Sequence, residues 1–157
     1  MLIQFQEYLT FENIYIWTNL GILPFWLMII FIPNSRITQI FVNSIILPLL
    51  LSVLYIYVIY QATSLNESIV EIFRLYLSIE DLYTVFATES FLLIFWLHFL
   101  ALNLFLGSWI SRDAVKYNMS KTIVYLPLIL IYFSGPVGLV LYWIIRIFYA
   151  KKLGFHD

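Results

Sequence analysis

An imidazole set in a run of apolar residues is the first feature of this chain with the means to do chemistry. His98 lies in the segment Trp96-Leu97-His98-Phe99-Leu100-Ala101-Leu102-Asn103-Leu104-Phe105-Leu106-Gly107-Ser108-Trp109, which is otherwise oily enough to lie in lipid. Imidazole gives or takes a proton near neutral pH. Polar groups at membrane depth are costly, so each is a functional-site hypothesis by default. Asn103 adds an amide that both donates and accepts, Gly107 leaves room for a close neighbour, and Trp96 and Trp109 bracket the segment with flat rings. The nearest acid on the same run is Glu89, nine residues before His98. On a helix that spacing sets the two on opposite faces, about 13 Å apart along the axis, so they cannot act on one atom. Glu89, Trp96, Asn103 and Gly107 share one helical face, while His98, Leu102, Phe105 and Trp109 share another. Partners for His98 are therefore expected from other helices, among them Asn19 or the carbonyls near Tyr132. No metal site is implied. With no cysteine and one further histidine, His156, the chain falls short of the three protein ligands usual at a catalytic zinc.

The elements that must position these groups are membrane helices. Hydrophobic residues make up 63% of the chain and charged residues only 11%, against about 25% charged in soluble domains. A net charge of -1 with no basic stripe excludes a nucleic-acid partner, since phosphates would go unneutralised. No charged series runs through the apolar segments, which disfavours a voltage sensor or an ion pump. A hydrocarbon core of about 30 Å needs about 20 apolar residues of helix, and four runs reach that length: 14–32, 40–60, 85–110 and 122–149. They predict an all-α integral membrane protein, a single domain over residues 1–157 with four transmembrane helices in a bundle. Both termini then fall on one side. The basic residues divide evenly, Arg36, Arg112, Lys116 and Lys121 against Arg74, Arg146, Lys151 and Lys152, so their distribution sets no orientation. Between the second and third spans, Glu67, Glu71 and Arg74 have helical spacing with apolar residues between them. This predicts a short amphipathic surface helix, after which Asp81 or Thr84 caps the third span.

Asn19 lies about two turns inside the first span, ahead of Pro24 and Trp26, and either glues the bundle by an interhelical hydrogen bond or holds a polar ligand group. In the fourth run, Gly135-Pro136-Val137-Gly138 breaks the ladder near mid-membrane. Such a break is tolerated only when buried in protein or facing a cavity, so Gly135 and Gly138 mark an interior site toward which His98 is expected to face.

The stretches Asn19-Leu20-Gly21-Ile22-Leu23-Pro24-Phe25-Trp26, Trp96 through Trp109, and Gly135-Pro136-Val137-Gly138-Leu139 resemble the abscisic-acid-deficient-four-like membrane proteins, whose plant member is the neoxanthin synthase. The resemblance covers nearly the whole chain, with matching order and spacing. It implies a four-helix membrane protein of xanthophyll metabolism that turns the epoxide violaxanthin into the allene neoxanthin. His98 stands at the family's histidine position and would be the catalytic proton-transfer residue. Asn19 and Asn103 would orient the ligand, Trp26, Trp96 and Trp109 would line a polyene channel, and Gly135 and Gly138 would let the ligand approach the backbone. The family has an aspartate where this chain has Asn103 and an arginine where it has Ser108, while Asp113 matches the family's acid beyond the helix. The N-terminus lacks the Arg- and Ser-rich character of a transit peptide. With the resemblance, that implies a bacterial-type homologue in an inner or plastid-type membrane.

Two functions follow from different classes. The first is a carotenoid isomerase that acts by acid–base chemistry on a membrane-dissolved polyene and needs no cofactor. The second is a non-catalytic carotenoid- or lipid-binding accessory subunit, as a homo-oligomer or within a larger membrane complex. A small transporter is a weaker third, because few polar groups are available to line a pathway.

Overall fold

In the computed structural model, residues 8–64 and 78–151 are described. All regular structure among them is helical: α1 Phe11–Phe31, a π-helical turn Thr38–Val42, α2 Ile46–Ser64, α3 Ile79–Phe86, α4 Glu89–Lys116, α5 Lys121–Ser134 and α6 Pro136–Ala150. Three segments are long and apolar enough to cross a membrane, Phe11–Phe31, Thr38–Thr63 and Glu89–Lys116. The expected surface helix around Glu67, Glu71 and Arg74 lies outside the described residues. Neither Asp81 nor Thr84 caps the third span, which starts at Glu89; both lie inside the separate short helix α3, whose cap is Ser78, its hydroxyl accepting from the Asp81 backbone N–H at 3.0 Å. Two compact units are present, Met1–Gly21 with Leu49–Leu100, and Ile22–Pro48 with Ala101–Asp157.

The buried positions explain why these runs fold as helices. On α1 they are Ile14, Thr18, Ile22, Trp26 and Ile29, a step of three or four residues that keeps one face inward. The Thr18 hydroxyl is spent internally, donating to the Ile14 carbonyl at 2.7 Å. On α4 the buried series Leu93, Leu97, Leu100, Leu104, Ser108, Ser111 and Ala114 repeats near 3.5. Its second half uses small residues, which let neighbouring backbones approach. In the first unit Ile14, Val58, Ala62, Leu93, Ile94 and Leu97 form one apolar cluster. The large hydrophobics left outside, such as Val53, Ile56, Leu102 and Phe105, are what a lipid-facing surface requires.

The fourth run departs from expectation. Instead of one kinked span over 122–149, the chain forms two helices of 14 and 15 residues, each about 21–23 Å long and short of the hydrocarbon core. Gly135 joins them at φ 47°, ψ −79°, a conformation closed to residues with a Cβ without strain. The chain then folds back on itself. A Cβ at Gly138 would sit 2.6 Å from the Pro127 carbonyl oxygen and against the Ile131 backbone and side chain, so the two helices touch backbone to backbone. The distal end of α6 is tied to the end of α4. Asp113 Oδ2 accepts from the Tyr142 hydroxyl at 2.7 Å and from Arg146 Nε at 2.7 Å. The guanidinium also donates to the Tyr117 hydroxyl at 3.3 Å and lies over the Tyr117 and Trp143 rings, 5.0 and 4.9 Å from their centroids. Arg146, counted with the termini in a four-span order, therefore belongs with Asp113 at the end of α4. The physical reason is that a hairpin returns the chain to the level it left.

Three measurements test this architecture. Asp113→Ala strands a guanidinium whose residue is 1% exposed and is expected to cost about 3–5 kcal/mol in denaturation of the detergent-solubilised protein. The paired change Asp113→Leu with Arg146→Met should recover most of that loss. Gly138→Val should cost about 1–3 kcal/mol by overpacking, where substitution at the open position Gly21, with nothing within 4 Å, should not. Because the chain has no cysteine, Thr122→Cys and Lys151→Cys give single labelling sites. Both should react with an impermeant maleimide from the same side of the membrane; opposite sides would refute the hairpin.

Candidate functional site

In the first unit the amide of Asn19 is bonded at both its oxygen and its nitrogen. Its Oδ1 accepts from the Trp96 indole N–H at 3.1 Å, and its Nδ2 donates to the Tyr15 carbonyl at 2.6 Å. The expected partner of His98 is thus the partner of Trp96. The indole also stacks on Phe99, centroids 5.3 Å apart, and meets Tyr15 at 5.9 Å. A ring held by a hydrogen bond and two aromatic neighbours makes a fixed wall. That wall bounds a cavity of ≈ 490 Å³ lined by Phe11, Glu12, Tyr15, Glu89, Leu92, Leu93 and Trp96. Its lining is aromatic and aliphatic with two carboxylates, a few polar groups in an apolar concavity, as ligand sites require.

His98 stands two residues past Trp96 and so about 200° around α4, facing away from that cavity. Its imidazole is exposed, with the Tyr55 ring of α2 as its aromatic neighbour at 6.1 Å.

In the second unit four of the expected residues come together. Trp26 is buried with its ring against Gly107, where a Cβ would lie 2.7 Å from the indole, and meets Tyr132 edge-on at 5.5 Å. One turn before Gly107, Asn103 is buried beneath the chain reversal: a Cβ at Gly135 would fall 2.5 Å from its Oδ1. Gly138 holds the hairpin shut beside it. The Asn103 Nδ2 has no hydrogen-bond partner. The group set against Gly135 is therefore Asn103. Trp109 has a different task, packing on Tyr142 edge-on at 5.8 Å and stacking on Trp143 at 6.2 Å, next to the Arg146 guanidinium.

Sequence reasoning missed Glu12 and Tyr15 on the cavity and the Asp113–Tyr142–Arg146 cluster. The cluster did carry a signal. Tyr142 and Arg146 are spaced four apart, on one face of an apolar helix, and an arginine inside such a run demands an acid. Glu12 carried none, because an acid at a span's first turn reads as an ordinary headgroup-level residue.

A protein-family comparison matches the family described as ABA DEFICIENT 4-like over residues 13–142, from the first turn of α1 to Tyr142. No curated protein and no solved structure matches the chain. The matched range holds the second and third apolar spans, all but the first two residues of the first, the cavity residues Glu89 and Trp96, and the whole Asn103–Gly135 contact. The chain belongs to the ABA DEFICIENT 4-like family.

Proposed function

We propose that this protein acts on a membrane-dissolved carotenoid, isomerising it by proton transfer, with the α5–α6 hairpin as a fourth membrane-embedded element beside three spans. Membership in a family tied by name to carotenoid metabolism supports the substrate class. The observation that carries the reading is the ≈ 490 Å³ cavity of the first unit, whose aromatic wall is locked by the Asn19–Trp96 hydrogen bond. The end ring of a xanthophyll is an apolar body carrying oxygen. Phe11, Tyr15 and Trp96 suit the body, and Glu12 and Glu89 offer acceptors to a ring hydroxyl. Isomerising an epoxide to an allene is redox-neutral. One proton goes to the epoxide oxygen as its C–O bond breaks, and one leaves the neighbouring vinylic carbon, so an acid and a base suffice. Two carboxyl groups on one cavity supply both roles. His98, on the opposite face of α4 beside Tyr55, cannot reach a ligand in this cavity and is the rival centre, open to a polyene arriving through lipid.

A second reading, a polyene-binding subunit without turnover, is favoured by Asn103. Its buried amide, with a spare donor, holds a ligand oxygen but transfers no proton.

Expression in a carotenoid-producing host, with pigment analysis and the absorption spectrum of the purified protein, tests both. The first reading expects a new isomeric pigment. It also expects a loss of about 10²–10⁴-fold in its formation for Glu89→Gln, the usual worth of a general acid or base, and a comparable loss for Trp96→Leu through misplaced ligand. Loss in His98→Ala with Glu89→Gln active would move the chemistry to the Tyr55 side. A structured visible band with no new pigment would establish the binding role, and neither band nor pigment would sink both.

A further inference from the structure

A second cavity, ≈ 360 Å³, opens in the second unit where the end of α1, the end of α4 and the first turns of α5 meet. It is graded. Ile29, Val124 and Leu128 form an apolar wall, and Asn34, Asn118 and Lys121 form a polar one. No carboxylate lines it, and Asp113 on the neighbouring turn is bound to Arg146 and Tyr142. The cavity is framed by a fixed backbone: Asn118 is left-handed at φ 53°, and the Met119 N–H closes on the Ala114 carbonyl at 2.9 Å, ending α4. Helix α5, 14 residues long, then starts with Ser120 making no side-chain cap bond and with Lys121 as its first residue. The Ile123 N–H turns back to the Ser120 carbonyl at 3.1 Å, which leaves the Lys121 and Thr122 N–H groups and the positive dipole end to favour an anion. A separate observation also calls for a ligand there. Ser111, on the cavity wall, is buried, and its hydroxyl has no partner, an expense of burial that a bound oxygen would remove.

The hairpin says which leaflet the cavity serves. Arg36 follows the end of α1, Arg112 and Lys116 end α4, Lys121 opens α5 and Lys151 follows α6, so flanking basic residues gather at this end of the second unit even with the buried, paired Arg146 left out. The positive-inside rule makes that end cytoplasmic, and the cytoplasmic leaflet carries the anionic lipids. We propose that this cavity binds the phosphate of an anionic phospholipid, held by Lys121, the α5 N-terminus and the Ser111 hydroxyl, with the acyl region against Ile29, Val124 and Leu128. The site is independent of the polyene reading.

The test uses the full chain, delipidated in a neutral detergent, with native mass spectrometry and thermal melting after adding phosphatidylglycerol, phosphatidylcholine or inorganic phosphate. Phosphatidylglycerol should be retained about fivefold or more over phosphatidylcholine, the discrimination expected of one basic residue at an anionic surface, and should raise the melting temperature. Lys121→Gln and Ser111→Ala should each lower retention, while Arg112→Gln, an exposed residue outside the lining, should not. Helicity by circular dichroism checks folding, and for a variant that fails it, competition between the two lipids on the unmodified chain decides. Equal retention of both lipids, unchanged retention in folded Lys121→Gln, or protection by inorganic phosphate without lipid retention would each overturn the proposal.

Discussion

A guanidinium buried in an apolar helix has to be paired, and in this protein that requirement shapes the second unit. Arg146 meets Asp113, and the same carboxylate oxygen takes the Tyr142 hydroxyl. Leaving either charge alone would cost several kcal/mol, roughly the margin by which whole proteins are stable. The pair therefore fixes where α6 must end, which is beside the last turns of α4. A straight fourth span starting at Lys121 would carry Arg146 some 37 Å along its axis from there, out of reach of Asp113. Reversal of the chain is the solution, and it must occur between Lys121 and Arg146. The aromatic shell of Trp109, Tyr117 and Trp143 completes the neutralised cluster by excluding water and facing the cation with ring electrons.

Glycines make that reversal possible in different ways. Gly135 supplies a backbone conformation, and Gly138 supplies absence of bulk, letting α6 lie on the Pro127 and Ile131 backbone. Gly107 plays the second part for Trp26, which fills the space a side chain would occupy. With no driving force from water inside a bilayer, such close approaches replace the hydrophobic effect as the source of packing. Asn103 is then enclosed by neighbours that have no room to move. Its Oδ1 rests against Gly135 while its Nδ2 finds nothing.

The three long helices were legible in the sequence because bilayer thickness converts directly into run length. The faces of α4 were legible too: Asn103 and Gly107 are buried, while His98, Leu102 and Phe105 are exposed, as a 3.6-residue period divides them. The hairpin was not. Gly-Pro-Val-Gly is compatible with a kink or with a full reversal, and local residues cannot choose between them. The choice is made by contacts eleven residues apart, Gly138 on Pro127, and thirty-three apart, Arg146 on Asp113. Counting Arg146 as a flanking charge rather than an intramembrane one hid the deciding contact and balanced the basic residues falsely. The Asn19–Trp96 bond was equally out of reach, since it joins residues seventy-seven apart and nothing in either segment names the other.

The two buried-span amides show how much a hydrogen-bond inventory adds to residue type. Asn19 and Asn103 were indistinguishable as polar residues in oily helices. Asn19 makes one bond at each end, to Trp96 and to the Tyr15 carbonyl, so it fixes the position of the indole. Removing that amide would free a ring rather than a contact. Asn103 keeps a donor that has lost its water and gained no partner, a debt of about 1–3 kcal/mol. A partner oxygen there would recover that energy, whereas Asn19, part-buried with one amide N–H still open, carries no such penalty. Of the two, Asn103 is the one whose unmet donor is buried, and the chain reversal at Gly135 is what holds it there.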